Sequence, residues 1–169
     1  MSPKVEGVAL ERLAGARPLT VCNVLVLGGT ADERERAAHA LHAAGSCPVG
    51  PFVPIDCHAA RAKLREVIRV WIVAGDRAHD RLAPDERGTL LLESVESLTR
   101  ESQHLLLIFL DRLADSNVKG RMHPIVQVIA ASQIDLEQAA ATGAFLPELF
   151  DALNKLRIDL DASSTESPR

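Results

Sequence analysis

Two kinds of hydrophobic segment alternate along the chain. Compact apolar runs, several of them rich in β-branched residues, predict buried strands at 21–27, 51–57, 89–92, 124–131 and 156–160. Between them, apolar residues at three- and four-residue spacing predict helices at 30–44, 59–73, 99–113, 135–141 and 147–153. Because two parallel strands need a crossover connection, this alternation predicts an α/β fold, with a parallel sheet and helices on both faces.

The two ends of the chain differ from this regular middle part. Residues 1–16 carry a weak helical pattern that Gly15 and Pro18 interrupt, which predicts an N-terminal helical extension. Residues 161–169 are polar and rich in serine, which predicts a disordered tail. We therefore expect a single folded domain over residues 17–160.

Composition limits the classes of function. Hydrophobic residues make up 47% of the 169, which is enough for a packed core. No apolar stretch reaches the roughly 20 residues of a membrane span, and the N-terminus lacks the apolar core of a signal peptide, so we expect a cytoplasmic protein. The net charge of −4 and the absence of a basic cluster predict no autonomous DNA binding. Cys22, Cys47 and Cys57 have no C-x-x-C spacing and are expected to be reduced thiols.

Several residues that could carry chemistry are better explained by structural roles. His39 and His42 lie three residues apart, with Cys47 nearby, but no further ligand pair accompanies them, so we predict no metal site. Trp71 is expected to anchor a helix in the core, with an exposed interface anchor as the alternative. The apolar residues of 105–110 exceed one helical face and predict a helix packed between the sheet and another element.

The loop after the first strand is the first place to look for a ligand site, since such sites lie beyond the carboxyl ends of parallel strands. The letters VLVLGGTADERE at 24–35 resemble a phosphate-binding loop of the form G-x-x-x-x-G-K-[ST], in the version G-E-T-G-T-G-K-E of sigma-54 activators. The same letters also resemble the opening of Rossmann reductases, in particular precorrin-6A reductases. This segment alone leaves both families open.

Four further blocks favour the first family. GPFVPIDC at 50–57 resembles G-P-F-V-x-x-N-C, and RGTLLLESVESL at 87–98 resembles G-G-T-L-F-L-D-E-I-x-x-L. VIAASQIDL at 128–136 is similar to the sensor strand I-I-A-A-T-N-R-D-L, and GAFLPELFDALN at 143–154 to G-x-F-R-x-D-L-Y-x-R-L-N. The chain thus resembles the central AAA+ domain of sigma-54-dependent transcription activators over about 17–160. The resemblance implies a P-loop NTPase-like large subdomain, here without the lid subdomain.

The resemblance places a vestigial nucleotide site on residues of three blocks, namely Gly28, Gly29, Thr30, Arg34, Glu35, Glu93 and Gln133. A working loop needs glycines, so that its N–H groups can face phosphates, and a lysine for the β- and γ-oxygens. Here Ala31 and Glu33 stand at later glycine positions, and Arg34 stands at the lysine position, where it could still bind an anion. Asp32 and Glu33 suit the helix N-terminus by themselves and would compete with a triphosphate. We therefore expect a self-capped helix.

The other positions that the family uses for hydrolysis also differ. The family's Asp-Glu pair matches Glu93 and Ser94, its sensor asparagine matches Gln133, and its two arginine fingers fall on Leu146 and Ala152. Between 60 and 88 the family's G-A-F-T-G-A loop, which touches the sigma factor, has no counterpart. These departures predict that the domain has no catalytic residue and does not hydrolyse ATP.

The sequence therefore predicts a regulatory module without a cofactor that acts through protein partners, among them related AAA+ or transcription-regulatory proteins. Its oligomeric state stays open. Two alternatives remain: a domain that binds ATP and magnesium weakly without turnover, and a Rossmann-type reductase that uses NAD(P) at Gly28, Gly29 and Thr30.

Overall fold

A computed structural model describes residues 23–76, 87–120, 123 and 125–161 of the chain. The described residues form one parallel sheet of five strands in the order β2-β3-β4-β1-β5. The strands are β1 (Val24–Leu27), β2 (Phe52–Asp56), β3 (Gly88–Glu93), β4 (Ile125–Ser132) and β5 (Leu156–Asp159). The predicted α/β fold with a parallel sheet is confirmed.

Helices connect the strands as the periodicity predicts. Within the described ranges they are α1 (Ala31–Ala44), α2 (Arg61–Asp76), α3 (Arg100–Val118), α4 (Leu136–Ala141) and α5 (Pro147–Leu153), with a 3-10 turn at Val95–Ser97. The predicted helix at 1–16 lies outside the described residues.

Helix α3 is longer than its apolar pattern predicts, and the predicted end at 113 is wrong. The helix continues to Val118 because Ser116 is buried and Lys119 lies 2.7 Å from the Asp115 carboxylate, a pair at helical spacing. Polar residues of low helix propensity in this last turn concealed the extension.

The core lies on both faces of the sheet. On one face the side chains of β1, β3 and β4 pack against helices α2 to α5 and include Leu25, Leu90 and Val128. On the other face Val26 and Ile129 pack with residues of α1. Strands buried on both sides explain why the sequence shows continuous apolar runs instead of alternation. At one edge of the sheet, strand β2 is largely exposed and contains Pro54.

The leucine-rich stretch of α3 packs as predicted, between the sheet and neighbouring helices. Leu106, Phe109 and Leu110 are buried in the core, whereas Leu105 is partly buried and 44% of Ile108 is exposed.

The carboxyl ends of the central strands lie at the same end of the sheet, and the loop predicted to hold a ligand lies at this end. The Gly28 N–H donates to Ser132 O over 2.9 Å, and the Leu160 N–H donates to Leu27 O over 2.9 Å. The loop is thereby fixed between the ends of β4 and β5.

Among the described residues, no helix combines the length and the apolar character that crossing a membrane requires.

Two aliphatic residues of α3 offer a matched test of this packing. Leu106→Ala is expected to lower the free energy of unfolding by about 3 kcal/mol, because it leaves a cavity in the core. Ile108→Ala, two residues away on the exposed side, should lower it by less than about 1 kcal/mol. Urea denaturation measures both, and equal losses would contradict the assignment of the buried face.

Candidate functional site

The loop after β1 begins with two glycines in the left-handed backbone region. Gly28 has φ of 78° and Gly29 has φ of 64°, values that residues with a side chain rarely adopt. A Cβ on Gly28 would also meet the exposed Asp161 carboxyl group, which would have to move aside. The sharp turn that a phosphate-binding loop needs is therefore retained.

Helix α1 caps its own N-terminus, as predicted. The Glu33 N–H donates to Thr30 Oγ1 over 3.2 Å, and the Thr30 N–H donates to Glu33 Oε2 over 2.7 Å. These reciprocal bonds form a capping box. The hydrogen bond from the Thr30 N–H holds the pKa of the Glu33 carboxyl below its ordinary value, and the Thr30 hydroxyl adds to this effect.

Arg34, at the position of the family's lysine, points into the loop. Only 5% of the residue is exposed. One terminal nitrogen, Nη1, donates to Gly28 O over 3.1 Å and to Gly29 O over 2.7 Å, and Nε donates to Glu93 Oε2 over 3.3 Å. The anionic partner of Arg34 in the structure is the Glu93 carboxylate at the end of β3.

The end of β3 brings together the two residues expected at the metal and water positions. Besides the oxygen that contacts Arg34, Glu93 has a second oxygen, Oε1, that is buried without a hydrogen-bond partner among the described residues. Ser94, the next residue, adopts the left-handed conformation with φ of 54° and ψ of 47°. Strain in a non-glycine residue is common at functional sites, and here it follows directly after Glu93.

Asp161 completes the loop, although the sequence placed it in a disordered tail. The Gly29 N–H donates to Asp161 Oδ1 over 2.8 Å. Asp161, predicted as the first residue of the tail, is thus held at the loop, and residues 162–169 lie outside the described part. The only signal that could have revealed this contact was the position of Asp161, just beyond a strand that ends at the same edge as β1.

The remaining predicted site residues, Gln133 and Glu35, are exposed at the surface. Gln133 is exposed and shares an open cleft of about 180 Å³ with the loop. The other residues that line this cleft are Leu27, Gly28, Ile134, Asp135, Arg157, Asp159 and Asp161. Glu35 is also exposed, and its carboxylate lies 3.7 Å from Nε2 of His39 on the next turn of α1. The structure therefore brings together Gly28, Gly29, Thr30, Arg34 and Glu93, with Gln133 at the rim.

The two arginine-finger positions have structural roles. Leu146 is 7% exposed and packs in the core, and its N–H donates to the buried Gln103 Oε1 over 2.8 Å. Ala152 is partly buried against the same core. Both side chains are uncharged, so neither position can supply a cation to a neighbouring molecule.

The other candidates from the sequence also have internal contacts. The His39 ring stacks on Phe52 with centroids 4.0 Å apart, and His42 Nδ1 lies 2.8 Å from Thr89 Oγ1. Cys47 and Cys57 are buried thiols, and burial raises the pKa of Cys57 to about 12. Within the described ranges no group of three or more His, Cys, Asp or Glu side chains is arranged to hold a metal ion. The side chain of Trp71 lies outside the described set.

Comparison with known proteins shows to which family the chain belongs. The family model described as the Sigma-54 interaction domain matches residues 8–159. The chain belongs to this family. The reductase alternative is therefore wrong, and the sheet order agrees, since a Rossmann sheet has the order 3-2-1-4-5-6.

Curated relatives of this sigma-54 interaction domain are transcription regulators. The C4-dicarboxylate transport transcriptional regulatory protein DctD of Pseudomonas aeruginosa is 31% identical, over 86% of this chain and 33% of its own length. The acetoin catabolism regulatory protein of Cupriavidus necator is 33% identical, over 82% of this chain and 22% of its own length. The chain thus spans a third or less of these two relatives.

Solved structures show the same fold. The P-loop NTPase domain of a sigma-54 transport activator from E. coli has a TM-score of 0.57 and 22% identity, covering 90% of this chain and 89% of that one. NtrX from Brucella abortus in complex with ATP has a TM-score of 0.64 and 24% identity, over 94% of this chain and 36% of its own. The resemblance to the AAA+ domain of sigma-54 activators is confirmed.

Removing Arg34 is expected to destabilise the domain. Arg34→Ala should lower the free energy of unfolding by about 3 kcal/mol, because the Glu93 carboxylate and two carbonyls then lose their buried partner. The exposed Arg36→Ala serves as the control and should change little. Replacing both partners, Arg34→Met with Glu93→Leu, should recover part of the loss in urea denaturation. A loss no larger than that of Arg36→Ala would contradict the internal role of Arg34.

The capping box predicts a pH dependence. Since the pKa of Glu33 is lowered in the folded state, its contribution to stability is present above its ordinary pKa and is lost as the pH falls through the lowered value. An NMR titration should give a Glu33 midpoint below the ordinary value of a glutamate side chain, and Thr30→Ala should raise it. An unchanged midpoint in Thr30→Ala would show that the hydroxyl has no part in the effect.

Proposed function

We propose that this domain is a sigma-54 activator-type AAA+ module that regulates transcription or signalling through protein partners without hydrolysing ATP. The domain is of the type found in transcriptional regulators. The loss of hydrolysis, and the action through partners, are the parts that we add.

The contacts of Arg34 carry the proposal. A loop that holds a polyphosphate turns its N–H groups toward the ligand and places a lysine on the terminal oxygens. Here the cation at that position binds the loop's own carbonyls, Gly28 O and Gly29 O, together with Glu93. A guanidinium is a planar fork of donors and does not replace an ammonium at such a close-packed site. Arg34 thus stabilises the folded loop instead of binding the phosphates of a nucleotide.

The N–H groups of the loop support the same conclusion. Those of Gly28, Gly29 and Thr30 donate to Ser132 O, to Asp161 and to Glu33 respectively. Each already has an acceptor inside the protein, and two of these acceptors are carboxylates, which would repel a triphosphate. The residues present do not fit ATP with magnesium in this arrangement, so the function that we propose needs no cofactor.

The positions that would act on a bound nucleotide are also changed. Ser94 stands where the family has the carboxylate that orients water, and Gln133 stands where it has the sensor asparagine. Leu146 and Ala152 have no charge to stabilise a transition state, a role in which an arginine contributes about a thousandfold or more in rate. Hydrolysis therefore lacks the water-orienting carboxylate, the sensor asparagine and both arginines.

A role through proteins fits the surface of α2. Val70 is 65% exposed and Val73 is 51% exposed, three residues apart on this helix. The chain has a net charge of −4, which disfavours autonomous binding to DNA. The curated relatives are regulators of transcription, so we place the partners among transcription-regulatory proteins and related AAA+ domains.

Weak nucleotide binding without turnover is the second candidate. It is favoured by the retention of Gly28, Thr30 and Glu93, and by the cleft of about 180 Å³ beside the loop. It differs from the main proposal only in whether the domain binds ATP, since neither candidate predicts hydrolysis.

Phosphate release from ATP and magnesium tests the main proposal. The purified chain should release no phosphate above a protein-free blank, because the groups that would perform hydrolysis are replaced. Turnover that Arg34→Ala abolishes would overturn the proposal, provided that circular dichroism shows the variant folded. Titration calorimetry with ATP and magnesium distinguishes the two candidates: saturable heat at millimolar ligand favours weak binding, and no heat favours a domain without a cofactor.

A further inference from the structure

The contact between Gly29 and Asp161 joins two distant parts of the chain at the loop. The Gly29 N–H donates to Asp161 Oδ1 over 2.8 Å, and the carboxyl group lies over Gly28, where any Cβ would overlap it. A hydrogen bond from a backbone N–H to a carboxylate is charge-assisted, and N–H groups in such turns are general binding sites for anions. Asp161 therefore occupies the place of an external anion.

The fold holds Asp161 at this place. Strand β5 runs parallel to β1, and the Leu160 N–H donates to Leu27 O over 2.9 Å. The chain consequently leaves the sheet beside the loop, and the next residue reaches Gly29. The Leu160 side chain lies against Gly29 as well, since a Cβ there would meet it at 3.0 Å.

Solvent exposure and neighbouring carboxylates weaken the contact between Asp161 and the Gly29 N–H. Asp161 is exposed and lines the open cleft together with Asp135 and Asp159. Arg157 lies 2.9 Å from Asp159 and so offsets one of these charges, while Asp135 accepts from the Gln138 N–H at the start of α4. Among the described residues Asp161 has one hydrogen bond, that from the Gly29 N–H, and because its carboxylate is exposed, water can replace this donor, which keeps the net stability of the contact small.

We infer that Asp161 is an autoinhibitory latch, an internal carboxylate that competes with small phosphate-containing anions for the Gly29 N–H. This inference rests on the proposed function in taking the loop to be a vestigial nucleotide site. It adds that the loop is closed to anions by a residue outside the loop. Opening requires only that Asp161 move away from Gly29, while Arg34 and Glu93 keep their contacts.

Titration of the full chain with inorganic pyrophosphate tests the latch. Asp161→Ala is expected to bind pyrophosphate about five- to tenfold more tightly than the unaltered chain, since one charge-assisted hydrogen bond no longer competes. Asp32→Ala removes the same charge from the first turn of α1 but leaves the Gly29 contact in place. This control should gain no more than about twofold from reduced repulsion.

Amide hydrogen exchange at Gly29 is a second measurement that needs no ligand. Asp161→Ala should speed this exchange about tenfold, whereas Asp32→Ala should leave it unchanged. Asp161→Asn keeps the acceptor oxygen without its charge, so it should shift both measurements in the same direction by less. If Asp161→Ala fails to fold, Asp161→Asn takes its place.

Three results would overturn the latch. They are equal pyrophosphate affinities in Asp161→Ala and Asp32→Ala, no binding by Asp161→Ala at about 10 mM pyrophosphate, and unchanged Gly29 exchange in Asp161→Ala. ATP turnover is recorded separately on the unaltered chain. Turnover there that a folded Arg34→Ala variant lacks would overturn the proposed function, while the comparison of the two aspartate variants would still decide the latch.

Discussion

The buried guanidinium of Arg34 is the constraint on which the loop depends. It joins the end of β1, through the carbonyls of Gly28 and Gly29, to the end of β3, through Glu93. A buried charge is tolerated only when it is paired and hydrogen-bonded, so the neighbouring backbone has to turn its carbonyls inward. The orientation of the peptide groups, and with it the kind of ligand that the loop can accept, follows from this one side chain.

Most of the fold could be predicted, because burial leaves a direct mark on sequence. Strands covered on both faces appear in the sequence as continuous apolar runs. The runs at Leu25 to Leu27 and Leu90 to Leu92 therefore predict buried strands directly. The self-capped start of α1 was equally readable, since Thr30 and Glu33 stand at the spacing of a capping box. The end of α3 was not, because a polar last turn looks like the beginning of a loop.

The candidate site was predictable in its members but not in its connections. The block order placed Gly28, Arg34 and Glu93 at one edge of the sheet, yet residue type alone could not show that Arg34 faces inward. The contact of Asp161 could not be predicted from the hydrophobic pattern, because a single carboxylate in a polar, serine-rich stretch has no periodicity that would separate it from a tail. Partners of polar groups are set by tertiary geometry, which hydrophobic patterns do not encode.

The two edges of the sheet limit how a partner can bind. Edge strands normally invite a further strand, but Pro54 in β2 has no N–H to donate, and β5 carries the charged pair Arg157 and Asp159. Both borders are thereby protected against strand addition and against aggregation through it. We therefore expect the protein partners that we propose to bind helices and loops, where exposed side chains can change without disturbing the sheet.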